Sequence, residues 1–344
     1  MSNPGPTGVA PVLQVHPTRR CNLACAHCYS SSGPRERQAL APGVLATCLD
    51  DAVALGYRQL AVSGGEPLLY APLGELLAHA RALGMVTSVT TNGTLATPRR
   101  WEALAGLIDV AAVSIDGTPS EHDAIRGRAG AFAGTVRNLE VIRGSGVPFG
   151  FIFTLTQYNV VSLEFVVRLA AEHGARSVQV HPLTLHGRAA TELPGARPDG
   201  LELTFALFEA VRLGRELGVV VHVDALTLDQ LLAHRSALVP ERPVSDLVAV
   251  APILVVDPDG RILPLTHEIS PRLALGSLGT DRLFHLAGGW LAAGRGDMLA
   301  ASCATTWAEL TGAPDAPAVY WYDEVAARTW DAVVPLRPAL RATS

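Results

Sequence analysis

An α/β fold built on parallel strands is predicted by three features of the sequence. Short apolar runs alternate with amphipathic helical segments from about residue 12 to residue 226. The runs are apolar throughout, as in strands covered on one or both faces. Residues of unusual chemistry recur where the runs end: three cysteines, then Ser-Gly-Gly-Glu-Pro, Thr-Thr-Asn-Gly-Thr and Ser-Ile-Asp-Gly. Strand–helix repetition implies right-handed crossovers, and such folds carry their sites where strands run into the following loops. A barrel, a partial barrel and a doubly wound sheet all satisfy this pattern.

The elements follow in order. Residues 12–17 read as a first strand, and 42–56 as a helix opened by Pro42 and closed by Gly56. Residues 58–65 form a second strand and 72–84 a helix. Residues 85–93 form a third strand and 98–107 a short helix. Residues 109–117 and 130–146 make the fourth pair, 148–156 and 162–174 the fifth, and 177–183 and 201–218 the sixth. Residues 219–225 either extend the sheet or begin another module. Gly187 to Gly200, rich in Pro and Gly, reads as a surface loop. The rhythm then changes. Residues 252–268 look like a β-hairpin turning at Asp257-Pro258-Asp259-Gly260. Residues 281–294 look helical, and the remainder reads as a helical or irregular tail. The expected organisation is an N-terminal tail over 1–11, a core over 12–226 and a C-terminal module over 227–344.

The chain has 344 residues, 49% apolar and 17% charged, which is a globular composition with a sizeable core. The net charge is −5 and no basic run occurs, which argues against nucleic acid as a partner. No apolar stretch reaches membrane-spanning length, so no membrane partner is expected. The N-terminus lacks the charged start and apolar run of a signal peptide. The expected compartment is the reducing cytoplasm, where clustered cysteines serve metals or catalysis more often than disulfides. All 27 Lys-plus-Arg positions are arginine. No Schiff base to pyridoxal phosphate can form, and no P-loop lysine is present.

Cys21, Cys25 and Cys28 stand in a C-x3-C-x2-C arrangement. A structural zinc site closes four ligands, and His27 is the one neighbour able to act as a fourth, awkwardly, because it adjoins Cys28. A redox disulfide needs two thiols and leaves Cys21 unexplained. An iron–sulfur cluster on three thiolates leaves one iron open to a non-protein ligand.

The run Cys21-Asn-Leu-Ala-Cys25-Ala-His-Cys28-Tyr29, followed in order by Gly64-Gly65-Glu66-Pro67, Asn92-Gly93 and Ser114-Ile115-Asp116-Gly117, resembles the radical S-adenosylmethionine (SAM) superfamily over about residues 12–226. More narrowly it resembles the branch of peptide and cofactor maturases with SPASM or twitch-type extensions. The resemblance implies a partial (β/α)6 TIM-like barrel followed by a small α+β extension with a β-hairpin. It implies one [4Fe-4S] cluster on Cys21, Cys25 and Cys28, with SAM chelating the open iron. One-electron cleavage of SAM would yield a 5′-deoxyadenosyl radical that removes a substrate hydrogen atom. Gly64, Gly65, Glu66 and Pro67 would meet the SAM amino group, largely through backbone carbonyls. Asn92 would lie on the SAM side, Ser114 and Asp116 would face the ribose, and Arg126 would pair with the SAM carboxylate. The segment Leu185 to Ala189 would line the adenine. A reducing partner such as a flavodoxin or ferredoxin would deliver the electron.

Relatives often place a cysteine where this chain has Leu265, and use further cysteines to hold auxiliary clusters. Here only Cys303 remains in the later region, so the extension reads as a remnant without a cluster. Cys303 has two readings: a small buried residue, or a hydrogen-atom donor to a substrate radical. Cys48 falls in an amphipathic helix and reads as core. His267 and Glu268 stand where a lost cluster would begin, and His181 and His186 follow the sixth strand; each is a candidate to meet substrate. The expected substrate is a peptide in natural-product maturation, as in ribosomally made and modified peptides. With a short N-terminus, a separate leader-peptide-binding protein would be needed. The alternative is a small metabolite such as a sugar, nucleoside or tetrapyrrole, undergoing epimerisation, dehydration or decarboxylation. A non-enzymatic zinc or iron–sulfur protein is the third reading.

Overall fold

The computed structural model describes residues 10–312 and 318–331. Most of the expected N-terminal tail, and the last residues of the expected C-terminal module, lie outside the described residues. The core opens with β1 (Val12–Val15), α1 (Pro42–Ala54), β2 (Gln59–Val62), α2 (Leu73–Ala82), β3 (Val86–Thr91) and α3 (Pro98–Ala105). It continues through β4 (Val110–Ser114), α4 (Pro119–Arg126), α5 (Ala131–Gly144), β5 (Phe149–Leu155), α6 (Leu163–His173) and β6 (Ser177–Pro182). Then come α7 (Ala189–Glu192), α8 (Gly200–Leu217) and β7 (Val220–Val223). Strands β1 to β7 lie side by side in sequence order, every pair parallel.

The strand sequences explain the layering. Successive side chains face opposite ways. Leu13, Val15, Leu60, Val62, Val89, Val113, Phe153, Val178 and Val180 are wholly buried. Each fully buried side chain of this kind contributes roughly 1.5–3 kcal/mol. The other face of β1 carries Gln14 and His16, which touch each other at 2.9 Å.

Two expectations in the core change. Helix α4 is not among the predicted helices, although its start carries a capping box: Thr118 and Glu121 exchange side-chain and backbone hydrogen bonds around Pro119. The segment from Gly187 to Gly200 is more than a surface loop. It contains α7, and Ala189 and Ala196 are fully buried against Leu183. The driving force is contact with the cysteine loop, a tertiary effect that its Pro and Gly content conceals.

The C-terminal part comprises α9 (Leu228–Ala233), α10 (Arg235–Leu238), α11 (Leu247–Val250), β8 (Ile253–Val256), β9 (Arg261–Pro264), β10 (Gly276–Ser277), α12 (Leu283–Ala292), α13 (Arg295–Thr311) and α14 (Trp321–Asp331). The hairpin forms as expected, with β8 antiparallel to β9 and Gly260 in the left-handed conformation at the turn. It does not stand apart. β8 also pairs in parallel with β1, so one sheet of ten strands runs β10-β9-β8-β1-β2-β3-β4-β5-β6-β7 and stays open between its edges. This open barrel with a hairpin extension agrees with the predicted fold class. Further ties reinforce the junction. Buried Asp51 on α1 accepts from Arg282 at 2.5 Å and from the Phe284 amide at 3.2 Å, and the Tyr57 hydroxyl donates to the Ala251 carbonyl at 2.6 Å. Among the described residues no helix is long and apolar enough to cross a membrane.

Candidate functional site

The chain leaves β1 at His16 and enters an irregular loop that carries the three cysteines. Cys21, Cys25 and Cys28 pack together around Leu23. Their sulfurs are not all within 4.8 Å of one another. One tetrahedral ion would hold its thiolates roughly 3.8 Å apart, given Zn–S bonds of about 2.3 Å. His27, the zinc reading's fourth ligand, instead sits 3.7 Å from the Asp116 carboxylate. All five cysteines are free thiols.

Each of the three sulfurs is met by polar hydrogens. The Leu23 amide donates to Cys21 at 3.5 Å, and the Asn92 side-chain amide approaches it at 3.9 Å. Arg126 lies 3.9 Å from the Cys25 sulfur. The Ser32 amide donates to Cys28 at 3.3 Å. Burial pushes the Cys21 thiol up to about 12 and raises Cys25 as well. Left alone these thiols stay protonated; iron would deprotonate them, and the donors would then stabilise thiolates. The residues present therefore fit a three-thiolate cluster.

The loop after β2 presses on this one. Gly64 has φ of 95°, and a Cβ there would lie 2.7 Å from His16 Cβ. A Cβ on Gly65 would fall on the backbone carbonyls of Arg20 and Thr18. Only glycine allows that approach. Gly65 and Glu66 amides donate to the Thr18 and Arg20 carbonyls, both at 2.9 Å. The Glu66 carboxylate is fully buried and accepts from Leu68 N, Thr91 Oγ1 and Asn92 N. Its side chain ties the second strand end to the third. Asn92 continues the chain of contacts by donating to Asn22 Oδ1 at 3.0 Å.

Asp116 is held by two donors from different elements. Arg126 Nε donates to Oδ2 at 2.6 Å, and the Thr154 amide donates to Oδ1 at 3.0 Å. Burial works against the charge. The Arg126 guanidinium, helped by His27, His122 and the Thr154 amide, overcomes it and holds the carboxyl at about 2. Each oxygen thus has one donor, which ties Asp116 to α4 through Arg126 and to β5 through the Thr154 amide. Ser114, also buried, has no such partner. Arg126, fixed by Asp116, keeps its guanidinium beside Cys25.

Leu185 is partly exposed beyond β6. The strongest contacts of its segment come from Gly187 and Arg188, which carry no individual role in the sequence reading. Arg188 donates to the Cys25 carbonyl at 2.7 Å and the Ser32 carbonyl at 2.6 Å, and its amide donates to the Cys28 carbonyl at 2.9 Å. Gly187 has φ of 59°, and a Cβ there would overlap the Tyr29 and Cys28 carbonyls. Gly65→Ala and Gly187→Ala are therefore expected to push the cysteine loop out of place. Iron retained after anaerobic reconstitution should fall several-fold in each. Gly43→Ala on α1, where a Cβ meets nothing within 4 Å and the backbone is helical, should retain it.

Cys303 is not brought to this site. It lies on α13, 2% exposed, in a cavity lined with Val12 and Ile253, the first residues of β1 and β8. That is the strand end opposite the cysteine loop. Burial pushes its thiol up to about 12. Cys303 is thus a buried thiol at a distance from the cysteine loop. Cys48 is likewise buried, on α1.

Tyr29 and the histidines do gather. The Tyr29 hydroxyl lies 3.2 Å from Ser63 Oγ and 3.3 Å from His16 Nε2. The His267 ring stacks on His16 at 4.5 Å and stands 4.7 Å from the Tyr29 ring. His186 stacks beyond it at 6.4 Å. Glu268 accepts from Thr184 at 2.6 Å, and His181 contacts Asp224 at 2.8 Å. The hairpin extension thus supplies side chains to the cysteine side of the sheet. His16 and Asp257, also in this group, read in sequence as a strand end and a turn.

Comparison with known proteins agrees with this geometry. Residues 15–170 match the family described as the radical SAM superfamily. Fe-coproporphyrin III synthase of Methanosarcina barkeri is 33% identical over 180 residues, 52% of this chain and 45% of that protein. PqqA peptide cyclase of Gluconobacter oxydans is 32% identical over 265 residues, 75% of this chain and 70% of that protein. Streptococcus suis SuiB bound to S-adenosylmethionine superposes with a TM-score of 0.61 at 18% identity, covering 83% of this chain and 68% of that one. The chain spans about half the length of the first curated relatives it matches. With the family match and this extended relationship in hand, the chain is a member of the radical SAM superfamily, enzymes that use a [4Fe-4S] cluster and S-adenosylmethionine.

Proposed function

We propose that this protein removes a hydrogen atom from a peptide substrate during natural-product maturation. The observation that carries the chemistry is the set of three thiols gathered on one loop, each approached by N–H groups and backed by a glycine cradle. Cys21, Cys25 and Cys28 would hold the [4Fe-4S] cluster, which with bound SAM supplies one-electron cleavage of the sulfonium and a carbon radical. The backbone of Gly64, Gly65, Glu66 and Pro67 would receive the SAM amino group. Asn92 would orient the loop edge, Ser114 would face the ribose, Arg126 would draw the carboxylate, and Leu185 would flank the adenine. Arg188 would hold the cysteine loop in register. A peptide substrate is supported by likeness to a peptide cyclase. A tetrapyrrole is the second reading, favoured by the 33% identity to Fe-coproporphyrin III synthase.

Anaerobic reconstitution tests the core of this reading. About four irons per chain and release of 5′-deoxyadenosine on reduction with SAM are expected. One zinc per chain and intact SAM would overturn it. Candidate peptides and coproporphyrins, each incubated in deuterated solvent, separate the two substrate readings by which of them alters and accelerates SAM turnover.

A further inference from the structure

We infer that His16, Asp257 and His267 form a binding site for one divalent transition-metal ion, separate from the cysteine cluster. Among the described residues they are the one group of His, Cys, Asp or Glu whose ligand atoms all lie within 4.8 Å of one another. Their elements force the meeting. Parallel pairing sets Val15 of β1 opposite Val256 of β8, so His16 and Asp257 leave the sheet side by side. The His16 amide donates to the Val256 carbonyl at 2.9 Å. After β9, Leu265 adopts φ of 66°, a left-handed conformation unusual for a leucine, and His267 then stacks on His16.

The polar accounting points to a missing partner. His16 Nδ1 is buried with no hydrogen-bond partner and lies 3.7 Å from Asp257 Oδ1, too far for a hydrogen bond. His267 Nδ1 lies 3.0 Å from the same oxygen. Two ligands each about 2.1 Å from one ion stand roughly 3.0–3.6 Å apart, so both separations are close to edges of a coordination polyhedron. On the far side of His16, Nε2 is 2.9 Å from the Gln14 side-chain amide and 3.3 Å from the Tyr29 hydroxyl. With the amide turned so that its oxygen accepts, these groups orient the imidazole as outer partners of metal-bound histidines do. Arg261 approaches the other carboxylate oxygen at 3.9 Å, leaving Oδ1 for the ion. Two imidazoles and one carboxylate suit zinc or divalent iron, cobalt, nickel or manganese, and three protein ligands leave positions open for water or a substrate oxygen. The Tyr29 ring, next to Cys28, borders the site, so an ion here would neighbour the SAM chemistry without sharing its ligands.

Cobalt(II) is the probe. Cluster-loaded protein, treated with a chelator, desalted anaerobically and titrated with cobalt(II), should take up one equivalent beyond its iron. The ligand-field spectrum should be of the nitrogen–oxygen type, without thiolate charge transfer. Asp257→Asn and His267→Ala should each weaken uptake at least 10-fold, and Gln14→Leu should weaken it by roughly 10-fold, as loss of an outer partner does. Iron content and far-UV circular dichroism report whether each variant folds. If buried His16→Ala does not fold, the Asp257 and His267 variants decide alone. No uptake by the parent protein, uptake with thiolate bands, or undiminished uptake by folded Asp257→Asn and His267→Ala would overturn the site. Production of 5′-deoxyadenosine, measured in parallel, reports on the proposed function independently.

Discussion

Replacing Cys21, Cys25 or Cys28 with alanine is expected to abolish both iron retention and SAM cleavage. Each thiol is one of only three available, and no fourth cysteine stands near enough to substitute: Cys48 and Cys303 are buried on α1 and α13. Loss of 5′-deoxyadenosine production should exceed the roughly 100-fold that removing an outer partner of a metal site can cause. Cys48→Ala and Cys303→Ala are the matched controls. Each removes one buried sulfur from packed core and should cost about 1 kcal/mol of stability while iron stays near four per chain. Iron counts and 5′-deoxyadenosine assays on the five single variants check this. The outcome that breaks the reading is a Cys303→Ala enzyme that keeps its iron but yields no product, because that thiol would then act in chemistry despite its place at the opposite strand end.

Substitution of Arg126 by methionine is expected to have the largest effect on stability. Asp116 is 1% exposed and its carboxylate leans on the guanidinium at 2.6 Å. Removing one partner of such a pair strands a buried charge and costs about 3–5 kcal/mol. The double variant Arg126→Met with Asp116→Asn should recover part of that, since no charge is left behind. The pH dependence has a definite sign. The folded carboxyl is held at about 2, below an ordinary aspartate near 3.9. Between those values the unfolded chain binds more protons. The stabilisation is complete above about pH 5 and is lost as pH falls through about 2, by on the order of 2 kcal/mol. Urea midpoints for the parent and both variants, taken at neutral pH and then downward, measure the effect. Equal midpoints for parent and Arg126→Met at pH 7 would rule the pair out as a stabilising element. The same variant should weaken SAM binding, because Arg126 also lies 3.9 Å from the Cys25 sulfur.

Much of the core is readable in the sequence for local reasons. The helix bounded by Pro42 and Gly56, and the one ending at Gly218 in a left-handed cap, announce themselves through residues whose conformational limits are intrinsic. The apolar strands need no partner to be recognised, and the order of cysteine, Gly-Gly-Glu-Pro, Asn-Gly and Asp-Gly motifs places one site at one end of the sheet. The turn at Asp257 to Gly260 is equally local. The cysteines are legible as candidate ligands because their spacing and the neighbouring residues form a motif.

Other features depend on partners distant in the chain. That Arg126 and the Thr154 amide donate to the two oxygens of Asp116 follows only from the packing of α4 and β5. Arg188 is one arginine among many, and only the approach of its loop to the cysteine loop shows which carbonyls it holds. Cys303 and Cys28 are the same residue type, separated in role by the strand ends where they lie. The hairpin reads as an appendage, yet its first strand joins β1, and that parallel register sets Asp257 beside His16. Sequence determined which local conformations the chain can adopt and which residues carry chemistry. Tertiary structure decided which of them meet, because pairing between strands distant in sequence is settled by the burial of whole faces and not by any residue's own preference.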